Sequence, residues 1–338
     1  MTAGPDRDQA ERASEGRLDA LREEAVRTGR VTAPGARVVG GPIPADPTVG
    51  YYGRAILKPA VWTWEIPLYF FVGGMAGMAA VVAAAARLAG AEPELVRAAL
   101  WLGVAGAAVS PLLLILDLGR PSRFLNMLRV FKWRSPMSMG AWILVAFGGA
   151  VTAAALLEWT ARASPGGVPG VPAPSVAAGI LLDAALFVAA ATGALLATYT
   201  GVLIGATATP AWHTHHRSLP VHFGIAGLGS AVGALTLLGF RLPALSALGV
   251  FAAAVETVFG AWIELRRHGA ADRALHQGVG GWTLRLAGLL AGPVSLALWI
   301  WGPASWAAGA FLAGALASRY GWLWAGRASA SDPEAALS

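Results

Sequence analysis

The chain has 338 residues, of which 56% are hydrophobic and only 13% charged, against roughly 25% charged in soluble domains. Its net charge of +6 rests almost wholly on arginine, with Lys58 and Lys132 the two lysines. That preference reflects a GC-rich genome and does not imply nucleic-acid binding. There is no cysteine, which excludes a disulfide and a cysteine-ligated iron–sulfur cluster within this chain.

Residues 1–50 are polar and rich in Pro, Gly, Arg and Glu. They read as a flexible or partner-bound arm, with a short helix expected in "SEGRLDALREEAVRTG" (14–29). No apolar stretch precedes residue 60, so this is not a signal peptide. Eight runs then reach the roughly 20 apolar residues that a membrane-crossing helix needs. They are 65–89, 97–117, 137–158, 176–207, 219–240, 243–264, 282–302 and 303–325. Residues 51–325 are thus expected to form an all-α, eight-helix membrane domain with both termini on one side. Residues 326–338 are expected to be a disordered tail.

Of the 25 basic residues, four (Arg87, Arg97, Arg162 and Arg241) lie toward the end away from the termini. The positive-inside rule places the termini in the cytoplasm. The polar stretch closing the second run, "LDLGRPSRFLNMLRVFKWRSPMSMG" (116–140), is too basic for the membrane core. It reads as an amphipathic interfacial segment, either snorkelling to membrane lipid or docking a partner through Arg120, Arg123, Arg129, Lys132 and Arg134.

Charged groups inside apolar runs are functional candidates, because an unpaired one costs several kcal/mol to bury. Glu65 sits at the threshold of the first run among Trp62, Trp64 and Tyr69. Asp117 ends the second run, Asp183 lies in the fourth and Glu256 in the sixth. Each of the last two has a bland alternative, a protonated acid bonded to a neighbouring helix. All six histidines fall at 213–222, 268 and 276, in or beside loops. Haem ligation by two histidines deep in two helices is therefore not expected. A metal site at His213, His215 and His216 is open, though neighbouring loop histidines are more often solvated. His222, just inside the fifth run, is the better candidate for proton transfer.

"WTWEIPLYFFVGGMAG" (62–77), "LDLGRPSRFLNMLRVFKWRSPMSMGAW" (116–142) and "YTGVLIG" (199–205) resemble the NrfD/polysulfide-reductase membrane subunit family. The resemblance covers roughly residues 51–325. It implies a haem-free, eight-helix anchor in a bacterial inner membrane that binds a quinone, menaquinone or ubiquinone. It also implies two partners, a four-cluster ferredoxin-like iron–sulfur subunit and a molybdopterin catalytic subunit of formate dehydrogenase or polysulfide reductase type. By this resemblance Tyr199 matches a tyrosine that hydrogen-bonds a quinone carbonyl. Tyr69 falls near a polar position of the first helix, with Glu65 the alternative contact there and Trp64 flanking the ring. Quinone reduction takes up two protons. Glu65 is therefore expected to relay protons, with Asp117 and His222 as further relays and Asp183 and Glu256 on a path toward the other side. A proton-coupled transporter and a purely structural anchor are the competing readings; no inverted repeat supports the former.

Overall fold

The computed structural model describes residues 57, 60, 62–118, 123–163, 176–266 and 269–337. Every regular element among them is a helix. In chain order these are α1 (Glu65–Leu88), α2 (Pro93–Asp117), α3 (Arg123–Arg129), α4 (Pro136–Ala163), α5 (Val176–Gly205), α6 (Pro210–Thr214), α7 (Ser218–Leu237), α8 (Pro243–Leu265), α9 (Ala270–His276), α10 (Gly278–Leu289), α11 (Ser295–Trp301), α12 (Ala304–Ser331) and α13 (Pro333–Leu337). A π-helical turn, Leu290–Val294, joins α10 to α11.

Proline sets several boundaries. Pro93, Pro210 and Pro243 open α2, α6 and α8, where the missing N–H is one that would lack a helical partner anyway. Pro293 lies inside the π turn beside Gly292, whose ψ of −110° leaves the helical region. Removing one backbone donor mid-helix forces such a bulge. Gly302 is extended, and the Pro303 carbonyl accepts the first N–H groups of α12. Gly302 and Pro303 thus make the turn between the runs 282–302 and 303–325.

Among the described residues, seven helical segments are long and apolar enough to cross a membrane: α1, α2, α4, α5, α7, α8 and the α10–α11 pair, Gly278–Trp301. The eighth expected run is α12. Its 28 residues reach about 42 Å, but Ser318, Arg319, Tyr320 and Arg327 make it less apolar than the others. The tail expected to be disordered from 326 is helical instead. Gly326 lies directly against the Trp212 indole, the Ser329 hydroxyl accepts the Ala211 N–H at 3.2 Å, and Arg273 reaches Glu334 at 2.6 Å. These side chains give the chain end a surface to fold on. The expected N-terminal arm, its helix at 14–29 and Arg120 lie outside the described residues.

Small residues set the helix spacing. Gly77 of α1 and Gly193 of α5 meet backbone to backbone, and a Cβ on either would collide with the other's carbonyl. Gly74 meets Gly227 of α7 in the same way, with a Cβ on Gly227 2.8 Å from the Gly74 carbonyl oxygen. Membrane helices associate by such close approach, since lipid supplies no hydrophobic drive. Helix α1 consequently lies between α2, α5, α7 and α12. Its buried face includes Ile66, Tyr69, Phe70, Ala76, Ala80 and Ala83.

Candidate functional site

The start of α1 and the end of α2 meet at one end of the bundle. The Thr63 hydroxyl bridges two acids, hydrogen-bonding Glu65 and lying 3.0 Å from Asp117 Oδ1. The Thr63 N–H also donates to that Asp117 oxygen at 3.3 Å. One hydroxyl proton cannot serve two carboxylates fully. Helix α12 clamps this rim. Tyr320 donates its O–H to the Trp64 carbonyl at 3.0 Å, and Arg327 Nε donates to the Ala60 carbonyl at 3.2 Å.

One turn further in, Tyr69 is 2% exposed. Its ring and the Ser110 hydroxyl of α2 both border Gly73. Tyr199 of α5, buried nearby, interacts electrostatically with Tyr69. Its ring fills the space that a Cβ on Gly140 would take. Ser110 Oγ is buried without a hydrogen-bond partner, and no described residue pairs with either tyrosine hydroxyl. The Ser110 hydroxyl is thus buried and unsatisfied near the Tyr69 ring, and Tyr69 lies one helical turn from Glu65 of the rim. Buried hydroxyls normally find partners, so this cluster suits a ligand that supplies oxygen acceptors.

The second group lies between α7, α8 and α12. His222 Nδ1 is 3.1 Å from Glu256 Oε1, and its Nε2 is 2.9 Å from Ser318 Oγ. The Phe259 ring stacks on the imidazole at 4.3 Å and 11°. Beside them Arg319, 2% exposed, packs its guanidinium 3.7 Å over Phe223 and donates from Nη2 to the Phe223 carbonyl at 3.0 Å. A cavity of ≈470 Å³ opens from His222, Glu256 and Ser318 along α8 and α10. Aromatic rings connect the two groups: Tyr69 to Phe70 at 5.7 Å, Phe70 to Phe223 at 6.1 Å, and Phe223 to His222 at 5.6 Å.

The expected residues therefore divide. Glu65, Tyr69, Tyr199 and Asp117 come together, and His222 pairs with Glu256 across the aromatic link. Asp183 joins neither group. It is half exposed and bonded to Arg87 at 2.8 Å, and Arg87 lies 22 residues along α1 from Glu65, about 33 Å away. Its place two turns into α5 lets it reach an arginine at the opposite rim rather than the bundle interior. Trp64 is 56% exposed, and Trp62 takes the inner position instead, stacked 5.5 Å from Trp212. His213, His215 and His216 do not converge. His215 turns inward to Asp272 at 3.1 Å, whereas His213 and His216 stack on each other. Among the basic docking candidates, Arg129, Lys132 and Arg134 are exposed next to exposed Phe131 and Trp133. The side chain of Arg123 lies outside the described residues.

Sequence reasoning missed Thr63, Ser110, Ser318 and Arg319. The arginine had a readable signal, since it falls within the run 303–325, where a cation needs partners. The three hydroxyls had none, because single Ser and Thr residues are common in membrane helices.

A family model described as NrfD, polysulphide reductase, matches residues 55–264. The chain belongs to this family. The match takes in α1 to α8 and all of the Glu65–Tyr69–Tyr199 group, while α9 to α13 lie beyond it. No curated protein matches the chain significantly.

Proposed function

We propose that this NrfD-family chain is the quinone-reactive membrane anchor of a multi-subunit oxidoreductase. The observation that carries the reading is the buried, unpartnered Ser110 hydroxyl, which borders Gly73 together with the Tyr69 ring, at the end of the bundle where Thr63 joins Glu65 and Asp117. Hydroxyl donors on separate helices can hold the two oxygens of a quinone ring. When bound, the quinone supplies two-electron chemistry coupled to two protons. Tyr69 and Tyr199 orient the ring, and the aromatic packing around Trp62, Phe70 and Phe223 keeps the site apolar. Glu65, with Thr63 and Asp117, exchanges protons at the rim, where it meets water at the bundle end. Having no cysteine, the chain needs its electrons to arrive on a partner. An iron–sulfur subunit, itself carrying a molybdopterin enzyme of formate dehydrogenase or polysulfide reductase type, fills that role. Arg129, Lys132 and Arg134 beside Phe131 and Trp133 supply a basic, aromatic docking surface at the same end. The excess of arginine there supports a cytoplasmic side for this end, the termini and the partner in a bacterial cell, with α12 read as the eighth span.

Quinone turnover by the complex purified from its native membrane tests the reading. Glu65→Gln removes the exchangeable acid but keeps its shape, and turnover should fall roughly 100-fold with assembly intact. Tyr199→Phe deletes one hydrogen bond, and turnover should fall about tenfold. Full activity of the double variant overturns the quinone site. A chain that purifies alone and free of iron, even after crosslinking, overturns the anchor role in favour of a transporter.

A further inference from the structure

The cavity beside His222 has no part in the site proposed above, and its walls differ from the rest of the bundle. One wall is α8, the other α10 with the π turn, and Trp322 of α12 closes the back. At Gly77 and Gly74 glycines let helices touch; here two glycines border a gap. A Cβ on Gly288 would meet nothing within 4 Å, and one on Gly260 would meet only the Gly288 Cα at 3.9 Å. The bulge at Gly292 and Pro293 turns α10 aside where the cavity begins. Such bulges often mark functional sites. Exposed Ala261 and Leu289 line the cavity, on two segments apolar enough to cross a membrane, together with the Glu264–Arg285 ion pair. A volume of ≈470 Å³ falls in the usual range for small-molecule pockets, about 300–1,000 Å³.

The inner end is polar and fully built. With the imidazole proton on Nδ1, His222 donates to Glu256. Nε2 then accepts from the Ser318 hydroxyl. Both imidazole nitrogens are used, and spare acceptor capacity is left on Glu256 and Ser318. A ligand head that donates O–H groups satisfies it. A bare acyl chain would leave those acceptors facing hydrocarbon, at a cost of about 1–3 kcal/mol each. Phe259 and Trp322 border the same end and favour a flat ring.

We infer that this lateral crevice is a second ligand site, binding the hydroxyl-bearing ring of a membrane-soluble quinol with its hydrocarbon tail leaving between α8 and α10. That the hydroxyl-bearing lipid is a quinol rests on the quinone reading above.

The test uses the full chain in phospholipid nanodiscs with a photoreactive prenylated hydroquinone, followed by peptide mapping. Label should appear in 256–264 and 284–293. Gly288→Leu adds a side chain where a Cβ meets no atom within 4 Å and should lower that label at least tenfold. Gly149→Leu, on a helix elsewhere and also facing open space, should leave it unchanged. Gly260→Leu gives a second plug should the first fail to accumulate. Crevice label that survives both plugs overturns the site. So does equal competition by a headless isoprenoid hydrocarbon, which would mark a lipid groove. Labelling by a photoreactive diacylglycerol in place of the hydroquinone overturns the quinol. Loss of label near Tyr69 and Tyr199 with crevice label retained refutes the first site alone.

Discussion

Gly77 and Gly288 are the same residue on two apolar helices, put to opposite use. At the α1–α5 seam, Gly77 and Gly193 let two backbones touch, and no side chain fits between them. At the α8–α10 crevice, Gly288 borders space that nothing in the chain fills. The seam therefore fixes where Tyr69 and Tyr199 stand relative to each other, and the crevice leaves room for something that is not protein. A glycine count, or a small-residue spacing, cannot tell these uses apart. What lies opposite decides.

The sharpest way to break this contrast is at the seam. Gly77→Val pushes two branched carbons into the Gly193 backbone, and overpacking of a tight core typically costs about 1–3 kcal/mol even when side chains can give way. Here the neighbour is backbone, so little or no assembled chain should be recovered from membranes. At the crevice Gly288→Ala should instead be neutral or stabilise the fold by up to about 1 kcal/mol, the ordinary helix preference for alanine. Equal losses of melting temperature for the two would erase the distinction.

A smaller effect is expected at Gly140. Gly140→Ala displaces the Tyr199 ring, so it should cost about 1–3 kcal/mol in detergent melts and lower quinone turnover as Tyr199→Phe does. Turnover unchanged despite the shifted ring would detach Tyr199 from the site.

The loop end offers a pH test. His215 is buried between Trp262 and Trp322, and burial lowers its pKa against its opposing hydrogen bond to, and the charge of, Asp272; Arg266 and His276 also lower it. The unfolded histidine titrates near 6.5. The folded chain thus holds fewer protons than the unfolded one below that pH, so stability is full above about pH 6.5 and declines as pH falls. His215→Gln should flatten that decline, as read by melting temperature from pH 7.5 to 5. A slope unchanged in the variant would assign the titration to another group. The smallest change is expected at the far rim, where Arg87→Ala breaks a half-exposed ion pair with Asp183. The loss should be within about 1 kcal/mol and vanish in high salt.

Seven of the eight apolar runs became helices of matching apolarity, with boundaries close to those read from composition and proline. Length and hydropathy are local properties, and lipid demands that each span satisfy its own backbone. The grouping of Glu65 with Tyr69 was equally legible, because four residues on one helix share a face.

The sequence alone determined that this is a polytopic helical membrane chain without cysteine, that it resembles the NrfD family, and that acids and tyrosines gather near one end of it. Only the tertiary structure decided which of these meet. Residues 54 to 96 apart were brought together as Thr63 with Asp117 and His222 with Ser318, while Asp183 was sent to Arg87. Partner choice among membrane helices depends on where small residues allow backbones to close and where a bulge holds them apart. Those are relations between distant segments, and no single segment carries them.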